Sequence, residues 1–350
     1  MPPKVVVPAE ELRSFTTALL AAAVKDPAHA RTISEVLVWA ALRGVDSHGV
    51  ARVPRYLELL ASGEANPAPA MAFSSAAAAV AVLDADRAPG PVALTAAADR
   101  AVTLAGANGI GAVGVRRTVH TGAIGYYTSR IAARGLVGIA FVAGMPNMSY
   151  PGVRGAAVAT SPLSIAVPAA GDRPPALLDM ATAGIALGKI AQYRNAGRAL
   201  PEGVAATADG TPTTDPALAT MPLPLGGAKG AGMSLVFELL TSVLVGAPIV
   251  SSFHGDDPDG RRHRQNALIV ALSPAAFGDA AAFPEAVGAT LDAVKGLTPA
   301  PEDAEIRYPG ENSAAVAATR AAEGIPVAAK VWSELETAAK ELDVPLPSHS

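Results

Sequence analysis

Apolar and polar positions divide the chain into three stretches. Residues 8–62 carry the pattern of three helices. The first covers 8–24; Asp26-Pro27 then supplies an N-cap and a first-turn proline for a second helix that runs to about Arg43, with Gly44 as its stop. Ser47 opens and caps the third, and Gly63 closes it. A Pro- and Ala-rich stretch at 65–70 reads as a linker. From about Ala76, short β-branched runs alternate with Ala-rich segments. Strands are predicted at 79–83, 110–115, 137–143, 164–167 and 267–272, and helices at 91–106, 122–134, 184–197 and 233–245. The C-terminal stretch returns to helix at 312–323 and 328–342, with Trp332 and Leu335 as buried positions. This order predicts an α/β domain at 76–289, flanked by one discontinuous helical domain made of 1–75 and 290–350. No internal repeat is present.

Composition narrows the class. Half of the 350 residues are hydrophobic and only 17% are charged, enough for a sizeable core and against global disorder. With 4% aromatics, that core must be built from Ala, Val, Leu and Ile. The formal net charge of −4 gives no reason to expect nucleic acid as a partner. The absence of cysteine excludes disulfides, thiolate chemistry and cysteine-ligated zinc or iron–sulfur sites. Residues 1–13 lack the apolar core of a signal peptide. Of the two most apolar runs, 76–83 is too short to span a bilayer, and 234–250 carries Glu238 and ends near Gly246 and Pro248. Both are expected to be core elements of a soluble, cytoplasmic protein with no membrane partner.

Candidate chemistry is concentrated at a few points. Ser47-His48-Gly49-Val50-Ala51-Arg52 places a hydroxyl, an imidazole and a guanidinium together, and on a helix His48 and Arg52 would share a face. That spacing suits a small 2-oxo acid: Arg52 can grip the carboxylate bidentately and His48 can pass a proton to the neighbouring oxygen. The same residues also read as a helix cap followed by two surface side chains. Gly109-Ile110-Gly111-Ala112-Val113-Gly114 matches G-x-G-x-x-G, but a helix precedes it and a strand follows, the reverse of the dinucleotide fingerprint. His120 lies between a strand and a helix, where side chains face clefts or serve structure. Asp179 ends an apolar run, and three roles fit it: orienting a histidine, binding ribose hydroxyls, or capping a helix. Gly226-Gly227-Ala228-Lys229-Gly230 is either an anion-binding turn or a flexible one. His254, His263 and the acidic run 256–259 are interrupted by Arg261-Arg262 and contain no His-x-x-x-His pair, so a solvated loop and no metal are expected.

Taken in order, these segments resemble the malate/L-lactate dehydrogenase family that lacks a Rossmann fold. It includes sulfolactate, ureidoglycolate and diketogulonate dehydrogenases and the cyclic-imine Δ1-piperideine-2-carboxylate reductases. The resemblance runs nearly end to end, through DSHGVARVPRYLELLASG from Asp46, VHTGAIGYY around His120, LDMATAGIALGKI around Asp179, and PEGVAATADGTPTTDP from Pro201. It continues through GGAKGAGMSL around Lys229, RYPGEN at 307–312 and EGIPVAAKVWSEL from Glu323. Each piece alone is weak; seven in one order carry the resemblance.

The resemblance implies an α/β, non-Rossmann NAD(P)-binding domain with a mixed sheet plus a helical domain from both termini. It implies an NAD- or NADP-dependent oxidoreductase acting on a small carboxylate substrate, usually a homodimer with sites near the subunit interface. By matching position, His48 is a proton donor or acceptor supported by Ser47 and Asp179, Arg52 holds the substrate carboxylate, and His120 sits beside substrate and nicotinamide. Which histidine is the immediate proton partner stays open. His120, Gly144, Thr160, Ser161, Asp179, Met180, Ala181, Lys229, Gly230, Pro309, Gly310 and Glu311 would line the dinucleotide. Arg116, Arg117 and Lys189 are candidate partners for a 2′-phosphate.

Several positions depart from the family pattern. Gly-Thr-Asn-Pro becomes Ala159-Thr160-Ser161-Pro162, a polar pair becomes Ala143-Gly144, a double glycine becomes Gly152-Val153, and the aromatic of Lys-Gly-Tyr-Gly becomes Ala231. A 2-oxo acid reductase is the first reading. A cyclic imino-acid reductase of the same fold is the second, and a diverged binding protein without turnover the third.

Overall fold

The computed structural model describes residues 4–301 and 304–348. The chain begins with β1 (Lys4–Val7), α1 (Ala9–Ala21), α2 (Pro27–Leu42) and α3 (Val53–Ala61). The central part follows as β2 (Ala72–Ala77), β3 (Val80–Asp84), α4 (Gly90–Asn108), β4 (Ile110–Thr118), α5 (Gly125–Ala132) and β5 (Val137–Gly144). It continues through β6 (Leu163–Val167), β7 (Ala176–Met180), α6 (Leu187–Asn195), β8 (Ala205–Ala206) and β9 (Met221–Pro222). Next come α7 (Ala228–Glu238), α8 (Val250–His254), β10 (Gln265–Leu272) and α9 (Ala282–Lys295). The chain closes with α10 (Glu311–Glu323), β11 (Ile325–Ala328) and α11 (Ala329–Glu341).

The two ends of the sequence share one core. β1 pairs antiparallel with β11, Val7 opposite Ile325. Leu12, Phe15, Ile33, Tyr56, Leu59, Trp332 and Leu335 pack in a single buried cluster with them. As predicted, Trp332 and Leu335 are inside, and Asp26 caps α2 by accepting from the Ala28 amide at 2.8 Å. The linker at 65–70 is free of regular structure.

Seven strands form the main sheet in the order β2-β3-β4-β10-β5-β6-β7, and only β3 and β4 run parallel. The register decides where chemistry can collect. Gln265 stands opposite both Thr118 and Gly144, Phe141 opposite Leu163, and Leu163 opposite Met180. The ends of β4, β5 and β7 and the starts of β10 and β6 therefore lie along one rim of the sheet. His120, Gly144, Thr160, Ser161, Met180 and Ala181 all belong to that rim or to the turns leaving it. The glycines at 109–114 serve packing. Gly109 is the left-handed stop of α4 (φ 79°), and a Cβ on Gly111 would lie 2.1 Å from the Ala101 carbonyl oxygen. Bare backbone there lets α4 sit close against β4.

Three expectations need correction. The third helix does not begin at Ser47: Asp46–His48 and Val50–Arg52 are separate 3₁₀ turns, broken by extended backbone at Gly49, and α3 starts only at Val53. Gly49 presses on Ala41 of α2, where a Cβ would come within 3.0 Å, and Pro54 sets the true first turn of α3. Ser47 makes no cap bond. The run 76–83 is not all core, because every residue of β2 is exposed at the sheet edge. The run 234–250 is also not buried throughout. Leu235, Val236, Leu239, Leu240, Val243 and Leu244 form an outward stripe along α7 and the π-helical turn Leu239–Val243, while Ser234, Glu238, Thr241 and Ser242 face in. β1, β2, β7, β8, β9, β11, α8 and α9 are absent from the predicted elements. No helix among the described residues is long and apolar enough to cross a membrane.

Candidate active site

The broken helix start brings more together than a helix would have done. The two 3₁₀ turns fold Arg52 back so that its Nε donates to the Ser47 carbonyl at 2.6 Å. Ser47 Oγ is 3.0 Å from His48 Nδ1. The loop after β4 carries His120 across, its ring stacked on that of His48 with centroids 5.9 Å apart and planes 22° apart. The loop is held tightly: Gly90 donates to the His120 carbonyl at 3.1 Å, and a Cβ on Gly90 would fall 2.4 Å from that oxygen. The start of α6 closes in from the far side, its Gly188 against Ser47. Arg52 has no carboxylate partner among the described residues, and with Nε anchored, both of its terminal nitrogens remain for a ligand.

Tyr56 fixes the state of His120. Its hydroxyl lies 2.9 Å from the His120 carbonyl oxygen and 3.0 Å from Nδ1. The carbonyl can only accept, so the hydroxyl donates there and must itself accept from an Nδ1–H. We assign that tautomer, which leaves the Nε2 lone pair of His120 unused. The Gly122 amide, 3.3 Å from Nδ1, is the longer and weaker competitor. Burial, with Arg52 beside it, pushes the His48 pKa down to about 4. Burial lowers His120 well below the usual histidine range, reinforced by Arg52, His48, His263 and Arg55. Both rings are neutral near pH 7.

Asp179 is placed elsewhere. It sits near the end of β7 and accepts from the Gly125 amide at 2.9 Å, capping the start of α5; it bonds neither histidine. Its side chain is solvent-accessible, yet the protein packed around the carboxyl raises its pKa to about 6. Of its three candidate roles, the structure shows the cap, made to the start of the helix that follows His120.

The residues expected along the dinucleotide converge through backbone bonds. The Thr160 amide donates to Asn147 Oδ1, and the Thr160 carbonyl accepts from Thr182, which follows Met180-Ala181. The Thr182 carbonyl accepts from Leu225, whose own carbonyl accepts from Gly230 at 2.8 Å. Ser161 Oγ is buried 3.2 Å from Ser234 Oγ, and Gly144 packs on Gln265. Gly226 and Gly227, both at positive φ, turn the chain sharply into α7 and leave Lys229 exposed with no ion pair. Thr182 Oγ1 is shielded and unbonded. An exposed cation without an ion pair at a helix start and an unfilled hydroxyl fit the pyrophosphate and ribose hydroxyls of a dinucleotide. Pro309, Gly310 and Glu311 do not join this group. Pro309 accepts from Leu177 on the outer edge of β7, Gly310 packs on Leu177, and Glu311 pairs with Lys295. Arg116 and Arg117 are tied to Asp84, at 3.2 and 2.6 Å, while Lys189 remains exposed.

With this geometry in place, comparison with known proteins is direct. Residues 7–336 match the malate/L-lactate dehydrogenase family, and the chain belongs to it. It is 34% identical over 310 residues to the ureidoglycolate dehydrogenase (NAD(+)) of Escherichia coli O157:H7, covering 88% of each chain. The structure superimposes on sulfolactate dehydrogenase from Methanocaldococcus jannaschii with TM-score 0.87 and 32% identity, covering 97% of this chain and 98% of that one. It also superimposes on the Δ1-piperideine-2-carboxylate reductase of Pseudomonas syringae, with TM-score 0.84 and 27% identity over 95% and 99% of the two chains. The protein is an oxidoreductase of the hydroxy-acid dehydrogenase type.

Two residues escaped the sequence reading. Tyr56 lies one helical turn beyond Arg52, so the spacing that singled out Arg52 also pointed to it. His263, expected in a solvated loop, is held near His120, and its Nε2 is shielded and unbonded. Among the described residues, no group of three His, Asp or Glu forms a metal site.

Proposed function

We propose that the protein transfers hydride between NAD or NADP and C2 of a small 2-hydroxy or 2-oxo carboxylic acid. The observation that carries this reading is Arg52, an unpaired guanidinium beside two neutral imidazoles. An unpaired charge in a half-buried site calls for a counter-ion, and a substrate carboxylate supplies one with matching fork geometry. A carboxylate on Arg52 places C2 and its oxygen within the reach of the stacked histidines.

In the oxidative direction His120 takes the hydroxyl proton on Nε2, while its Nδ1–H stays on Tyr56. His48, held by Ser47, hydrogen-bonds the same oxygen and keeps it in line. In the reductive direction the proton returns by the same path. Arrival of a substrate anion offsets the repulsion from Arg52 and makes protonation of His120 easier in the complex. Bound NAD or NADP supplies hydride chemistry at the nicotinamide. The turn at Lys229-Gly230, the Thr160–Ser161 segment and the rim at 179–182 would hold it. The low fraction of parallel strand pairs and the reversed glycine motif support binding outside a Rossmann crevice.

The exposed stripe Leu235–Leu244 supports a homodimer meeting on α7, since an apolar face of this length is stabilised by a second copy. The likeness to the piperideine carboxylate reductase favours one second reading, reduction of a C=N bond beside a carboxylate, which Arg52 would hold equally well. Mixing the protein with NADH or NADPH and a panel of 2-oxo acids and cyclic imines tests both. Loss of absorbance at 340 nm with 2-oxo acids is expected. Loss with imines alone would favour the second reading, and cofactor binding without any absorbance loss would remove both.

A further inference from the structure

Resting on that reading, we propose that Gln265 reads the nicotinamide ring, its side-chain oxygen accepting a hydrogen bond from the N–H of the ring's carboxamide. Two consecutive amides at the start of β10 carry the inference by their contrast. Asn266 is buried and satisfied at both ends: its Oδ1 accepts from the Arg117 amide at 2.9 Å and its Nδ2 donates to the Ala247 carbonyl at 2.7 Å. Gln265 lies on the opposite face of the strand, against Gly144. Its Oε1 is shut off from solvent and bonded to no protein group. Shielded polar atoms in folded proteins are almost always paired, so this oxygen marks a bond that a ligand completes.

The place of Gln265 in the sheet selects the part of the ligand. Along the rim the order runs from the end of β4 through the start of β10, the end of β5 and the start of β6 to the end of β7. His120 follows β4, Ser161 precedes β6, and Ala181 follows β7. Gln265 and Gly144 stand between them, directly opposite each other. A dinucleotide held at Ser161 and Ala181, with its reactive carbon at a substrate on His120, would lay its nicotinamide across these two residues. Gly144 leaves that surface bare. A Cβ on it would lie 3.2 Å from Gln265 Cγ and 3.3 Å from Nε2, so the missing side chain is what lets the amide rest there.

The adjoining backbone is shaped for the same place. Gln265 stands opposite Thr118 but Ala267 opposite Val115, so β4 carries one extra residue. Arg117 takes up this bulge at φ 59°, a left-handed conformation that non-glycine residues rarely hold, and Asn266 fixes its amide. The bulge bends the end of β4 beside Gln265, just before the chain reaches His120. Valence then chooses the group. A substrate carboxylate has no proton to donate, and the substrate hydroxyl gives its proton to His120. The carboxamide N–H is the donor left to fill Oε1. Held at that edge, the ring keeps its C4 turned toward the acid.

Dissociation constants from calorimetry test this without turnover. NADH and NADPH are each compared with the analogue in which an acetyl group replaces the carboxamide, keeping the C=O and exchanging NH2 for CH3. The wild type is expected to bind the parent about tenfold more tightly than the analogue, the discrimination of one buried hydrogen bond. Gln265→Leu is expected to bind the two alike, whereas Gln265→Glu, which keeps an acceptor oxygen, retains the preference. Equal binding of parent and analogue by the wild type would overturn the proposal and leave the hydride-transfer reading standing, even if the leucine variant failed to fold. A preference that survives in Gln265→Leu would overturn it too, because another group would then read the carboxamide. So would a preference lost as fully in Gln265→Glu, which would make the position a packing site. Binding of no dinucleotide at all would remove the hydride-transfer reading as well.

Discussion

The two sides of the proposed site, one for substrate and one for cofactor, are built on opposite principles. On the substrate wall, side chains do the work, and each is tied back by a second bond: Arg52 to the Ser47 carbonyl, His48 to Ser47, His120 to Tyr56. On the cofactor wall the backbone does the work, through glycines at 226, 227 and 230, the Thr160–Thr182 bond and one free lysine. The difference teaches where specificity lies. Locked side chains fix the position of a small acid to a fraction of an ångström, whereas a backbone cradle tolerates sequence change as long as its turns survive. In the proposed site, the departures at Ala159, Ser161 and Ala231 fall on the side that would hold the cofactor, and His48, His120 and Arg52 on the side that would hold the acid.

The largest effects are therefore expected on the substrate wall. His120→Ala should lower kcat by at least ~100-fold, the usual scale of general acid–base catalysis, and His48→Ala should do likewise. Steady-state rates at 340 nm read both, and near-normal turnover in either would undo the division of labour. Tyr56→Phe keeps the ring but releases the His120 tautomer. A fall in kcat of about tenfold is expected, with a shifted pH profile and little change in KM. Unaltered pH dependence would mean that Tyr56 serves packing alone. Arg52→Lys replaces a fork by a point charge and should mainly raise KM for the acid. An unchanged KM would mean that the carboxylate binds elsewhere.

Smaller effects sharpen the contrast. Lys229→Ala should raise the KM for the dinucleotide several-fold and leave the KM for the acid in place, since a single exposed cation adds modestly to backbone contacts. Equal changes in both would mean that the walls are not separate. The pH dependence of stability also follows from the site. The folded pKa of His48 lies near 4, below its unfolded value of about 6.5, so folding favours its neutral form. Its contribution is present above pH 6.5 and is lost as pH falls through 6.5 toward 4, by at most about 3 kcal/mol. Denaturant midpoints at pH 7 and 4.5 should drop less in His48→Gln than in the wild type. Equal drops would place the titration on other groups.

Much of this was legible in the sequence because side-chain chemistry leaves letters. Ser47, His48, Arg52 and His120 were readable as candidates, and the helix-before-strand order at 109–114 correctly removed a false phosphate loop. The geometry joining them was not readable. A four-residue spacing suggested one helical face, whereas Gly49 interrupts the turns and α3 starts only at Val53, and Arg52 reaches the site by folding back. Asp179 fitted a histidine partner, a ribose ligand or a helix cap, because an aspartate ending an apolar run needs a donor. Only the sheet register shows that the donor is the Gly125 amide. The stripe Leu235–Leu244 read as core because apolar residues on an exposed face and on a buried face look alike in one dimension. His263 was masked by its acidic and basic neighbours, and the long-range fold alone brings it to His120.

The central claim is that the Arg52–His48–His120 pocket is where hydride passes between an acid and a nicotinamide. The most direct measurement incubates the protein with the oxidised cofactor and a 2-hydroxy acid deuterated at C2, then locates the label by NMR of the reduced cofactor. Deuterium at C4 of the nicotinamide, abolished in His120→Ala, is the predicted result. Binding of both molecules with no deuterium at C4 would contradict the account.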